Sequence, residues 1–247
     1  MLPKIDVPVF ETTLVSTGEK IKYRPFLVKE QKLFMMAMES QDPKEQMEVI
    51  KQVLNNCIVS KNVDVDELPM FDLEHLFMHL RGKSVGEVVN LNYTCNNKVS
   101  KEGEEEKKCG NIVKIDVNIN DIKPIVDLNH NKKIEISEKM GLMMRYPTVK
   151  TIANSELNEK KDEVESLIEI IINCIDYIYD DEQIYYAKDS DKKELFEFVE
   201  NLKQSDLTKI QNFFNTMPKI KKELDFKCDK CGYNEKMTIE GMQNFFA

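Results

Sequence analysis

The chain has 247 residues, 41% of them hydrophobic, 8% aromatic and 32% charged, with a formal net charge of −9. This is a globular composition, long enough for one large domain or two small ones. The acidity argues against a nucleic-acid binder, which presents a basic patch, and no apolar run approaches the roughly 20 residues of a membrane span. Met1–Asp6 lacks the basic and apolar regions of a secretory signal, and six cysteines are few for a disulfide scaffold. The expected setting is a reducing cytosol, which favours zinc over disulfides.

An extended arm with Pro3 and Pro8 leads into a hairpin: Val9–Leu14, the turn Ser16-Thr17-Gly18, and Lys20–Tyr23. Arg24-Pro25-Phe26 leaves it. A helix is predicted from Val28 to about Glu39. Pro43 suits the first turn of the next, whose Met47, Ile50, Val53, Leu54, Cys57 and Ile58 form a core-facing stripe. Asp72 is the expected N-cap of a third helix bearing Leu73, Leu76, Phe77 and Leu80. Val89–Thr94 alternates and ends at Cys95; Cys109-Gly110 opens the alternating run Ile112–Ile119. Asn96–Lys108 between them is charged and without apolar period.

The second half starts with a strand, Lys133–Ile136, and a short helix capped by Ser137 that includes Met140, Leu142 and Met143. Arg145-Tyr146-Pro147-Thr148 is a loop. Asn154–Asp162 is polar and expected to be exposed. The strongest helical pattern runs from about Asp162 to Tyr179, with Val164, Leu167, Ile168, Ile171, Ile172, Ile175 and Ile178 on one stripe. Helices at Asp191–Leu202 and Ser205–Asn215 follow, stopped by Pro218. Asn56-Cys57 and Asn173-Cys174 each lie near the end of a long helix, a weak internal echo.

The chain closes on Lys222–Phe226, Cys228-Asp229-Lys230-Cys231-Gly232 and Glu235–Ile239. A tight turn here aims two thiolates at one point, and Gly232 supplies the backbone freedom the turn needs. Structural zinc takes four ligands in a tetrahedron, so two more must come from elsewhere. Cys95 and Cys109 are the candidates, because strand-Cys-turn-Cys-Gly-strand occurs twice. The expected site is one structural zinc on Cys95, Cys109, Cys228 and Cys231. Two disulfides, or four unrelated thiols, are the alternatives. Cys57 and Cys174 fall on apolar faces as small hydrophobes.

No catalytic constellation is legible. His75 and His79 lie four apart but without the glutamate of the metalloprotease motif, and His130 has no evident partner. Gly82-Lys83-Ser84 lacks the upstream glycine of a phosphate loop. Asp64-Val65-Asp66 and Asp189-Ser190-Asp191 read as caps and turns rather than calcium loops. A metalloenzyme would need an open metal position, which four cysteines close.

Ile21–Lys32, Met36–Ser40, Glu67–Asp72, Lys83–Glu87, Met144–Thr148 and Cys228–Gly232 together resemble the baseplate hub protein family of T-even-like contractile-tailed phages. The resemblance covers nearly the whole chain. It implies a non-enzymatic hub subunit or hub assembly chaperone, acting through contacts with other hub or tail proteins. It places the chain in the host cytoplasm during assembly and in the virion tail baseplate if it stays; composition argues against nucleic acid and a membrane span, and an oligomer is left open. The family pattern has a close cysteine pair where this chain has the Cys95–Cys109 insertion. A zinc-ribbon adaptor for nucleic acid or a host complex is the competing reading. Arg24, Phe26, Arg145 and Tyr146 are candidate partner contacts, with turn packing as the alternative.

The fold expected is α+β, mainly helical with short β-hairpins, in which a zinc-ribbon-like four-cysteine module joins two pseudo-repeated halves. Residues 1–27 are the arm and hairpin, 28–87 a helical region, and 88–123 the first ribbon hairpin with its insertion at 96–108. Residues 124–221 are a second helical region, and 222–247 the second ribbon hairpin and tail.

Overall fold

A computed structural model describes residues 3, 5–40, 42–100, 106–156 and 163–241. The polar stretch expected at 154–162 lies outside them from 157 on, as do 101–105 of the insertion and the tail from 242.

β1 (Phe10–Thr13) and β2 (Lys20–Tyr23) pair antiparallel, from Thr13↔Lys20 to Phe10↔Tyr23. Alternation buries Thr12, Leu14, Ile21 and Tyr23. α1 (Val28–Ser40) and α2 (Pro43–Cys57) follow. The Asp42 carboxylate caps α2 by accepting the Lys44 amide at 2.9 Å. Ile50, Val53, Leu54 and Cys57 turn to the core together. A single 3-10 turn, Val65–Glu67, is capped by Asp64, so that acid pair is a cap and not a cation loop. α3 (Met70–Ser84) starts earlier than expected. The Pro69 carbonyl accepts the amides of Asp72 and Leu73, which leaves Asp72 buried inside the first turn rather than capping it.

β3 (Val88–Thr94), β4 (Lys98–Val99), β5 (Lys107–Lys108) and β6 (Ile112–Asn118) form two nested antiparallel pairs, β3 with β6 and β4 with β5. β7 (Pro124–Ile125) and β8 (Lys133–Glu135) come next, then β9 (Gly141–Met144), α4 (Val149–Glu156), α5 (Glu163–Asn173), β10 (Ile175–Tyr179) and β11 (Ile184–Tyr186). α6 (Lys192–Glu200) is capped by Asp191 on the Lys193 amide. α7 (Gln204–Thr216), β12 (Lys219–Lys227) and β13 (Asn234–Glu240) complete the order. The sheets are β1-β2, β11-β10-β9-β8, β13-β12-β7, β3-β6 and β4-β5.

One expected helix is a hairpin, and the end of another is a strand. Ser137 caps no helix. Its hydroxyl accepts the Met140 amide at 3.1 Å, while the Met140 carbonyl takes the amides of Ile136 and Ser137, which closes the β8–β9 hairpin. Gly141 is required there, since a Cβ would lie 2.5 Å from the Ile134 carbonyl oxygen and 2.3 Å from the Tyr179 hydroxyl. The long pattern ending at Tyr179 breaks at Asn173. Ile175-Asp176-Tyr177-Ile178-Tyr179 is rich in β-branched and aromatic residues, which suits a strand, and Ile175 and Ile178 fall on the helical stripe by coincidence of spacing. Helix accordingly makes up 39% and strand 28%, so the chain is not mainly helical.

The chain divides into two compact units. One is Met1–Val63 with Glu74–Ile125 and Lys219–Ala247; the other is Asp64–Leu73 with Val126–Pro218. All four cysteines of the expected module therefore belong to the first unit, and the module does not join two halves. The second unit has its own core of Leu142, Met144, Ile171, Ile172, Leu195, Val199, Ile210 and Phe213. Among the described residues, no helix is long and apolar enough to cross a membrane.

Candidate metal centre

Two hairpins bring Cys95, Cys109, Cys228 and Cys231 together. β12 and β13 pair from Lys221↔Glu240 to Lys227↔Asn234, and the turn beyond them carries Cys228 and Cys231. Gly232, at φ +72, sends its N–H back to the Cys228 carbonyl at 2.9 Å. The first hairpin repeats this closure: Gly110, at φ +65, bonds the Cys95 carbonyl at 3.0 Å. Residues 98–108 leave the turn between Asn97 and Cys109 without opening it, because the Cys109 amide bonds the Asn97 carbonyl at 2.8 Å and β4 pairs with β5 at the root. The described ends of the insertion, β4 and β5, form a short ladder on an intact turn.

The four sulfurs lie within 4.8 Å of one another. Cys95 Sγ is 3.7 Å from Cys231 Sγ, and Cys109 Sγ is 3.8 Å from Cys228 Sγ. A tetrahedron of thiolates about 2.3 Å from a central zinc has edges of about 3.8 Å, and a disulfide would need about 2.0 Å. All four cysteines are free thiols. Cys95, Cys109 and Cys228 are buried with Phe226, and Tyr93, Val113, Ile115 and Met237 pack around them. These residues form an apolar shell with a soft four-sulfur donor set, which fits a closed structural metal site.

Burial pushes the Cys95 thiol up to about 12. Burial also opposes ionisation of Cys228, but the amides of Cys231 and Lys230, with bonds from the Cys231 and Asn111 side chains, outweigh it and bring that thiol down to about 6. Two side chains that the sequence reading passed over contribute here. Asn97 Nδ2 donates to Cys231 Sγ at 3.7 Å, and Asn111 Nδ2 to Cys228 Sγ at 3.6 Å. Their sequence signal is an asparagine two places after each cysteine of the first hairpin.

The loop residues lie apart from this cluster. The Arg24 guanidinium bonds the Glu30 carboxylate at 3.0 Å and the Asn56 carbonyl at 2.9 Å. The Phe26 ring is 5.5 Å from Phe34. Arg145 is exposed, and its Nε donates to the Asn173 carbonyl at 2.9 Å. Tyr146 is half-buried, stacked on His130 at 5.5 Å, with Lys132 Nζ 4.1 Å above its ring. The Asn-Cys echo has a structural basis at these arginines. The Arg24 amide bonds the Cys57 carbonyl and the Arg145 amide the Cys174 carbonyl, at 2.9 and 2.7 Å. Tyr23 bridges Ile58 as Met144 pairs with Ile175. One junction is thus built twice, once in each unit.

His75 and His79 stack on each other at 4.4 Å. His75 is buried against the Thr12 hydroxyl, and burial holds both rings below the usual histidine range. His130 bonds the Thr216 hydroxyl at 2.9 Å. Neither arrangement assembles a nucleophile with a base.

A family model described as "T4 bacteriophage base plate protein" matches residues 7–247, a span that includes every stretch on which the resemblance rests. No curated protein and no solved structure matches the chain.

Proposed function

The chain belongs to the family of T4 bacteriophage base plate proteins, and from that membership we propose that it is a non-enzymatic hub subunit or hub assembly chaperone stabilised by a structural zinc. The observation that carries the proposal is the family match over residues 7–247, joined to four converging thiols. The zinc sits on Cys95, Cys109, Cys228 and Cys231 and fixes two hairpins that are far apart in the chain. Function is exerted through contacts with other hub or tail proteins, made in the host cytoplasm as the tail is built. Of the loop residues, Arg145 and Tyr146 are the proposed contacts: one is exposed and the other offers an aromatic edge, and both residue types carry binding energy well. Arg24 and Phe26 support the first unit from within, and their contribution to partner binding is indirect.

Complementation of a phage lacking this gene tests the proposal, with baseplates scored by electron microscopy and purified virions inventoried by mass spectrometry. Incomplete baseplates without the protein are expected. Recovery in virions identifies a hub subunit, and absence from them an assembly chaperone. Normal baseplates and infectious particles without the protein would overturn both.

A further inference from the structure

Four thiolates around a divalent ion carry a net charge of −2, and three of these four cysteines are buried. A charge of that kind, out of water, needs N–H donors aimed at the sulfurs. Resting on the zinc reading above, we infer that the side-chain amides of Asn97 and Asn111 supply those donors and set the metal affinity of the centre. Each asparagine follows a cysteine of the first hairpin by two places, yet each donates to a sulfur of the second: Asn97 to Cys231 and Asn111 to Cys228. Their backbones are locked in the first hairpin, because the Asn97 carbonyl takes the Cys109 amide and the Asn111 carbonyl takes the Cys95 amide, both at 2.8 Å. The side chains therefore start from fixed points and bridge the two hairpins alongside the metal. The second hairpin returns no equivalent. Lys230 and Tyr233 occupy the matching places, and the Lys230 ammonium lies 3.4 Å from the Cys109 carbonyl rather than on a sulfur. The pair is placed to spread thiolate charge across the hairpin interface, and its loss leaves that charge without its side-chain donors.

Asn97→Asp and Asn111→Asp test this in the full-length protein, since they keep size and backbone but replace an N–H donor by a negative oxygen. Asn96→Asp, on an exposed neighbour in the same turn, is the charge control. Zinc affinity is read by competition with a chromogenic chelator, and the sulfur environment by the charge-transfer absorption of the cobalt(II) form. Each of the two variants is expected to lose about 10- to 100-fold in affinity and to shift the cobalt band, with the control unchanged. Asn→Ala at the same positions serves if the aspartates do not fold, with a smaller loss in the same direction. A wild-type chain that binds one metal while the variants match its affinity and spectrum would overturn the inference alone. A wild-type chain that binds no metal would overturn the zinc reading beneath it.

Discussion

Removing the metal should unfold the first unit and spare the second. Cys109 and Cys228 are 119 positions apart, and Cys95 and Cys231 are 136 apart. In the chain-entropy model, a crosslink over a fully unfolded loop of that length removes about 5 kcal/mol of unfolded-state entropy, an upper figure here because the second unit lies within the loop and stays folded. Whole domains are stable by only about 5–15 kcal/mol, so loss of the clip takes away a share comparable to the total. Among the described residues, the apolar cluster around the thiols is small, with Phe226 as its buried aromatic ring, and it cannot compensate for four sulfurs that no longer share a metal. The second unit holds none of the four ligands and has its own buried core. Hydrogen exchange with and without a strong chelator reads the two units separately. Protection should fall in β3, β6, β12 and β13 and persist in α5, α6 and α7. Equal protection in the first unit before and after verified metal removal, with all four thiols reactive, would refute the reasoning.

Arg24→Ala should cost about 1.5–3 kcal/mol, because it removes the main charged partner of a carboxylate whose side chain is 0% exposed and leaves it Lys29 at 3.4 Å and the Leu27 amide. Arg145→Ala, at the matching but exposed junction, should cost about 1 kcal/mol or less; chemical denaturation midpoints compare them, and equal losses would contradict the assignment. Stability should decline on acidification below pH 6.5. His79 is held to about 4 by burial, so the unfolded chain takes up its proton first and the loss runs from 6.5 down to 4. For Glu30, burial raises the carboxyl but the Arg24 and Leu27 bonds outweigh it, so its pKa is lowered. Its contribution is complete above 4.5 and lost as the pH falls through the folded value. His79→Gln should flatten the upper part of that profile in pH-dependent melting. Deleting residues 98–108 should leave one metal per chain by elemental analysis, since the Gly110–Cys95 bond already closes the turn; a metal-free but folded product would contradict it.

Local chemistry made much of this protein legible in one dimension. A glycine after a cysteine at the mouth of alternating strands gives a tight turn that presents thiols together, so Cys95, Cys109, Cys228 and Cys231, which the fold gathers within 4.8 Å, stood out from spacing. The same holds for the Gly18 turn, the α2 stripe ending at Cys57 and the acid caps at Asp64 and Asp191, where one residue's hydrogen-bonding reach decides the outcome. Tertiary structure decided the rest. Ile175–Tyr179 satisfies helical and strand spacing equally well, and only β9 and β11 on either side, which take its backbone hydrogen bonds, make it a strand. Ser137 was a cap in search of a helix until the partner strand supplied a hairpin. Arg24 and Arg145 read as candidate partner contacts or turn packing because their acceptors, the carbonyls of Asn56 and Asn173, lie 32 and 28 residues further on. Asn97 and Asn111 repeat at the same spacing after a cysteine, but their role was hidden for the same reason. Their sulfur partners are more than a hundred residues away, and no local pattern encodes a contact whose other half is brought in by the fold.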